Sequence, residues 1–136
     1  MSAGYSKRPL FKKLGYKAGM VAAWVQTPAD YDSLLGPLPE PITIEQTLTQ
    51  TYDLIHFFTK ERTELEAQFP QLKAAVKQNG MIWISWPKKA SKVATDLSED
   101  VIRQIGLEMG LVDVKVCAVD QVWSALKFVY RLKDRT

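Results

Sequence analysis

The sequence predicts an α/β fold: three layers around a mostly parallel sheet that ends in an antiparallel hairpin. Three observations carry this. Short apolar runs alternate with segments of helical period, in the order strand, helix, strand, strand, helix, strand, helix, hairpin. The run at 20–26 is continuously apolar rather than alternating, as strands buried on both faces are. The last two runs, 112–119 and 122–132, are joined at Asp120-Gln121, and Leu126, Phe128, Tyr130 and Leu132 alternate along the second.

The elements follow in order. Pro9 suits the first turn of a short helix through Leu14, and Gly15 suits its end. The turn at 17–19 leads into the strand at 20–26, which Thr27-Pro28 ends because proline brings no donor to a ladder. A short helix over 29–35 comes next, and Gly36-Pro-Leu-Pro-Glu-Pro41 breaks regular structure. In 42–48, Ile42, Ile44 and Gln46 share one face with Thr43, Glu45 and Thr47 opposite, which suits an edge strand. The run at 52–58 reads as a more central strand.

Leu65, Phe69, Leu72 and Val76 form one stripe of a helical region over 60–77. Thr59 is placed to cap its start, and Glu61 suits the positive end of the helix. Pro70 removes an internal bond, so a kink or two short helices are expected there. Asn79-Gly80 reads as the close of this segment before a strand at 81–86. A further helix starts at Leu97 or Ser98 and runs to Met109. Asp96 with Glu99 makes one capping box for it, and Ser98 is the rival cap. Its expected apolar stripe is Leu97, Val101, Ile105 and Met109, and Gly110 is its terminator.

At 136 residues the expectation is one domain over 1–136, with a basic and loosely ordered segment at 1–7. Apolar residues make up 46% and charged ones 24%, the balance of an ordinary globular chain. No apolar run is long enough to span a bilayer, and the first residues lack a secretory hydrophobic region, so the expected location is cytoplasmic with no membrane partner. Cys117 is the one cysteine, which excludes an intrachain disulfide and a cysteine-based zinc cluster. The net charge of +3 is uneven. Residues 1–20 hold Lys7, Arg8, Lys12, Lys13 and Lys17 with no acid, 21–87 hold four bases against eight acids, and 88–136 hold nine against seven. Basic ends of this kind attract phosphate, nucleotide or nucleic acid, although no helix-turn-helix, zinc-finger or RNA-binding signature accompanies them.

The candidate site is the stretch 81–96, where an apolar strand runs into a cationic, hydroxyl-rich loop and then a helix start. Lys88, Lys89 and Lys92 supply charge, Ser91 and Thr95 supply hydroxyls, and Trp86 borders them. Backbone donors at the helix start add positive potential, so the matching ligand is an anionic small molecule or nucleotide. A solvated lysine loop beside a helix cap is the competing reading. Trp24 and Trp83 fit the packed layers, and Trp123 is a second stacking candidate. His56 reads as a neutral, hydrogen-bonded core residue, and Cys117 as a buried thiol. Asp53, Asp96 and Asp120 suit caps and turns. No acid pair or metal-ligand rhythm stands out.

Trp86-Pro-Lys-Lys-Ala-Ser91, Thr95-Asp-Leu97 and Leu111-Val-Asp-Val-Lys-Val-Cys-Ala-Val-Asp120, continuing into Trp123-Ser124, resemble a family of small bacterial proteins catalogued only as a domain of unknown function. Ser2-Ala-Gly-Tyr-Ser6 and Gly36-Pro-Leu-Pro39 share that resemblance, which covers nearly the whole chain and implies no particular substrate. More broadly, Tyr52-Asp-Leu-Ile55, Gly80-Met-Ile-Trp-Ile84 and the final hairpin resemble the fourth, fifth and terminal strands of the Rossmann-like core of S-adenosylmethionine methyltransferases. That resemblance implies a shortened methyltransferase-like sheet. The first strand departs from it: Ala22-Ala-Trp-Val-Gln-Thr-Pro28 lacks the glycine-rich cofactor loop. Glu45 lies near where an acid meets ribose. No standard S-adenosylmethionine, NAD or ATP motif is present, so the cofactor is left unknown.

On these grounds the expected function is a non-catalytic domain that binds an anionic small molecule or nucleotide through Trp86, Lys88, Lys89, Ser91, Lys92 and Thr95. The alternatives are a divergent S-adenosylmethionine-dependent methyltransferase-like enzyme and an accessory subunit that pairs through the edge of the C-terminal hairpin.

Overall fold

The computed structural model describes residues 8–136. The expectation for segment 1–7 lies outside them. The chain forms α1 (Leu10–Leu14), β1 (Val21–Val25), α2 (Tyr31–Leu35), β2 (Thr43–Glu45), β3 (Tyr52–Phe58), α3 (Arg62–Ala75), β4 (Val76–Pro87), α4 (Glu99–Glu108), β5 (Leu111–Ala118) and β6 (Trp123–Tyr130). The six strands make one sheet in the order β2-β1-β3-β4-β6-β5. β2, β1, β3 and β4 run parallel, whereas β6 is antiparallel to both β4 and β5.

Alternation along the strands sends side chains to two cores, one on each side of the sheet. On one side Leu65, Phe69 and Leu72 of α3 and Ile102 and Ile105 of α4 pack on Ala23, Ile55, Phe57, Ile84 and Phe128. On the other, Phe11 and Leu14 of α1 and Tyr31 and Leu35 of α2 pack on Ala22, Leu54, Phe58, Trp83 and Ala125. This is the expected three-layer α/β architecture with a C-terminal hairpin. Each fully buried leucine or phenylalanine contributes about 2 kcal/mol over its exposed state, so β3 and β4, apolar on both faces, anchor the fold.

Several local expectations change. Pro70 does not divide its segment: α3 is one helix, with Leu65, Phe69 and Leu72 buried and Pro70 facing solvent. Asn79-Gly80 is no turn, because β4 already begins at Val76. A Cβ at Gly80 would lie 2.7 Å from the carbonyl oxygen of Asp53, so glycine there admits the β3 backbone. The expected α4 stripe packs on the core, with Leu97 and Ile105 buried and Val101 and Met109 partly so, and Ile102 and Gly106 are buried beside it. Gly106 lies against the Phe128 ring, which turns the helix face toward it.

The capping assignment is also settled. Ser98 caps α4, its Oγ accepting from Val101 N at 3.2 Å. Asp96 instead accepts from Arg62 N at 2.8 Å and so satisfies the first turn of α3. Thr59 holds that turn less directly, accepting from Glu61 N at 3.2 Å. Asp120 accepts from Val122 N and Trp123 N, both at 2.8 Å, and makes the hairpin turn. Asp53 accepts from Val21 N at 2.8 Å and pairs with Lys77 at 3.2 Å. The three aspartates therefore serve turns and strand ends.

Candidate functional site

The chain leaves β1 toward β2 on one side and then crosses back to β3 on the other, so strand order reverses between β1 and β3. In open α/β sheets this opens a crevice beyond the carboxyl ends of the strands. Gln26, the first residue after β1, stands there with φ 59°. That left-handed backbone is uncommon for a residue with a Cβ. Its side-chain amide donates to the Phe58 carbonyl at 2.9 Å and to Glu64 Oε1 at 3.1 Å. It thus bridges the end of β1 to the end of β3 and to α3. A hollow of about 300 Å³ opens here among Gln26, Phe58, Thr59, Lys60, Glu64 and Trp123.

On the β2 side of Gln26 lies a larger cavity of about 530 Å³. Trp24, Pro28, Leu38 and Ile44 give it apolar walls, and Thr27, Asp32 and Gln46 give it polar ones. Glu45 does not serve it. Its carboxylate accepts from Tyr52 at 2.5 Å and from Thr49 and Gln50 at 2.7 Å each, tying down the connection to β3. These bonds, Tyr52 foremost, hold Glu45 below the usual carboxylate range.

The lysine loop lies one strand further along. A groove of about 560 Å³ is lined by Trp86, Lys88, Lys89, Lys92, Thr95 and Glu99, among others. The structure therefore brings five of the six candidate residues together. Ser91 is the exception: its hydroxyl donates to the Lys88 carbonyl at 2.6 Å and accepts from Val93 N at 3.2 Å, building the turn. The Thr95 hydroxyl is also engaged, donating to the Lys60 carbonyl at 2.6 Å and accepting from Leu97 N at 3.1 Å. Trp86 is buried in the α3–α4 core, so it walls the groove and offers no exposed face for stacking. The three lysines are what this loop presents to an anion.

Beneath the strand ends runs a buried polar chain. Trp24 Nε1 donates to Tyr16 Oη at 3.0 Å, and Tyr16 Oη lies 2.8 Å from Tyr31 Oη. Tyr31 Oη lies 2.5 Å from His56 Nδ1, and His56 Nε2 lies 2.6 Å from Ser85 Oγ. Indole nitrogen only donates, so the Trp24–Tyr16 bond has one direction, and the three bonds beyond it run together one way or the other with the His56 tautomer. Burial pushes the His56 pKa down to about 3 and keeps both tyrosines well above their ordinary value. His56 and Ser85 are closed to solvent, so they form a core lock rather than a nucleophile and its base. Trp83 is buried with its indole N–H on the Leu14 carbonyl at 2.8 Å. Cys117 is half-buried, and desolvation raises its thiol pKa.

No family model matches the chain, and no curated protein is detectably similar to it. Solved structures are. An S-adenosylmethionine-dependent methyltransferase from Aquifex aeolicus aligns over 86% of this chain and 85% of its own, with TM-score 0.58 and 16% identity. The precorrin-6y C5,15-methyltransferase of Geobacter metallireducens GS-15 aligns over 90% and 86%, with TM-score 0.59 and 9% identity. The magnesium protoporphyrin IX methyltransferase of Synechocystis PCC 6803 with bound SAH aligns over 82% and 74%, with TM-score 0.54 and 13% identity. The chain thus has a Rossmann-like, methyltransferase-like fold.

Two expectations are corrected by these structures. The leaning toward a non-catalytic domain is overturned, because the fold is that of a series of methyltransferases. Leaving the cofactor unknown for want of a standard motif is overturned too, because structures of this fold include complexes with SAH and SAM. The glycine-rich loop is absent from the sequence after β1, and at that place Gln26 takes a left-handed backbone conformation. Nothing local in Trp24-Val-Gln-Thr-Pro28 marks it, since glutamine has no preference for positive φ.

Proposed function

We propose that this chain is a methyltransferase-like enzyme that takes an S-adenosylmethionine-type ligand across the carboxyl ends of β1, β2 and β3. The observation that carries the reading is the cavity of about 530 Å³ beside the strand-order reversal. Its size and mixed lining suit a nucleoside. Leu38, Ile44 and the edge of Trp24 make apolar walls for a purine. Asp32 and Gln46, on the polar side of the cavity, are the partners for ribose hydroxyls, in place of the occupied Glu45. Gln26 keeps a side-chain oxygen as acceptor while its amide hydrogens bridge Phe58 and Glu64.

Such a ligand supplies an activated methyl group on a sulfonium. The residues here bind and orient it. Lys88, Lys89 and Lys92, beyond Trp86 at the end of β4, attract an anionic group on the second substrate. Calorimetric titration with S-adenosylmethionine and S-adenosylhomocysteine tests the reading. Saturable one-to-one binding of either is expected, weakened at least tenfold in Leu38→Arg, which puts a charge in the purine wall. Absence of heat and of thermal stabilisation with both ligands at millimolar concentration overturns it.

A further inference from the structure

A second charged region lies away from these strand ends, on the α1 side of the sheet. Beside α1 a groove of about 410 Å³ is lined by Arg8, Phe11, Lys12, Tyr16, Lys17 and Pro39, among others, and none of its lining residues is acidic. Arg8, Lys12 and Lys17 are exposed, whereas Phe11 and Tyr16 are buried. The rim is therefore cationic, and it carries no exposed aromatic or large aliphatic side chain to enter a lipid layer.

The cationic region continues onto the hairpin. Lys127 of β6 pairs in register with Trp83, which belongs to the α1-side core, and its ammonium lies 6.0 Å from the centroid of the Trp83 ring. Burial first, then the charges of Lys115 and Lys17, hold the Lys127 pKa below its ordinary value. Lys13, Lys115 and Arg8 act together on the Cys117 thiol. Residues from α1, from the turn after it and from both hairpin strands therefore share one electrostatic field. Among the described residues, no ion pair involves Lys12, Lys13, Lys17, Lys115 or Lys127. The repulsion that Lys115 and Lys17 exert on Lys127 is of the kind a polyanion relieves.

We infer that the groove beside α1 and the adjoining face of β5 and β6 bind the phosphodiester backbone of a nucleic acid. Recognition is of charge and spacing. The aromatic residues at the groove are buried, so no platform for base stacking is offered and binding is insensitive to sequence. The site is separate from the strand-end cavity, and the inference does not rest on methyl transfer.

Fluorescence anisotropy with labelled single-stranded RNA and duplex DNA of about 20 nucleotides, across a salt series, tests it; each phosphate contact contributes roughly 0.7–0.9 to the slope of log affinity against log salt. Saturable binding of at least one probe near physiological salt is expected. The double variant Lys17→Glu/Lys115→Glu, at two exposed positions, should weaken it at least tenfold and make that slope shallower. Lys127→Gln should give a smaller loss in the same direction. Lys88→Glu/Lys89→Glu, at the other groove, should leave affinity within about twofold, taking each lost phosphate contact as the unit of effect. The inference is overturned if neither probe binds, if the Lys17/Lys115 variant binds as tightly as the parent while folded by circular dichroism, or if the Lys88/Lys89 variant loses as much. Binding to phosphatidylserine vesicles with no binding to either nucleic acid overturns it as well.

Discussion

At the scale of single residues, His56 is the position where burial has a measurable chemical consequence. It is the chain's one histidine, and it sits fully enclosed between Tyr31 and Ser85. Its native pKa is pushed down to about 3, against an ordinary value near 6.5. Below pH 6.5 the unfolded chain takes up a proton that the folded chain refuses. The stability linked to this group is therefore complete above pH 6.5 and declines as pH falls toward 3, by about 1.4 kcal/mol per unit. Urea unfolding at pH 7, 6 and 5 should show that decline between 6 and 5. A flat profile would contradict a neutral, enclosed imidazole. That His56 is a core residue was legible in Leu54–Phe58, since one polar side chain within a buried strand must find partners. Which partners it finds was not, because Tyr31 and Ser85 come from distant segments.

At the scale of elements, α4 shows how a helix can bury more than its apolar stripe suggests. Leu97, Val101, Ile105 and Met109 pack on the core as their spacing predicts, and Ile102 and Gly106 are buried beside them. The deciding contact is Gly106 on Phe128, where an added Cβ would stand 2.1 Å from a ring carbon. Phe128 cannot retreat freely, because it is fully buried and packs edge-on against Phe69 at 5.4 Å. Gly106→Ala should gain about 1 kcal/mol of helix propensity and lose about 3 kcal/mol to overpacking, a net loss of about 2 kcal/mol. Gln104→Ala, on the exposed face, is the matched control and should change stability by less than about 0.5 kcal/mol. Equal midpoints for the two variants in urea would remove the packing argument. Gly80 carries the same lesson for β4. A glycine beside asparagine reads locally as a turn, and only the β3 backbone approaching it explains why the strand runs on.

At the scale of the whole molecule, the sheet is built outward from β3 and β4. Their side chains are buried on both faces, while β2 has only three residues and β5 carries Val114, Lys115 and Val116 exposed at the opposite edge. Amide hydrogen exchange should therefore be slowest in β3 and the 81–86 part of β4 and markedly faster in β2 and β5, since opening free energy follows buried contact. Uniform protection across all six strands would contradict that gradient. Strand periods and turn residues made this architecture legible, together with the lysine loop at the end of β4. The strand-end cavity was not legible, because Trp24, Asp32, Leu38 and Gln46 meet only through the order β2-β1-β3. The same long-range assembly makes the polar chain from Trp24 to Ser85. Its five members come from β1, the turn before it, α2, β3 and β4, and each bond adjoins the next. Five scattered positions are thereby coupled in energy: a change at any of them takes a hydrogen-bond partner from a buried neighbour, at a cost of about 1–3 kcal/mol.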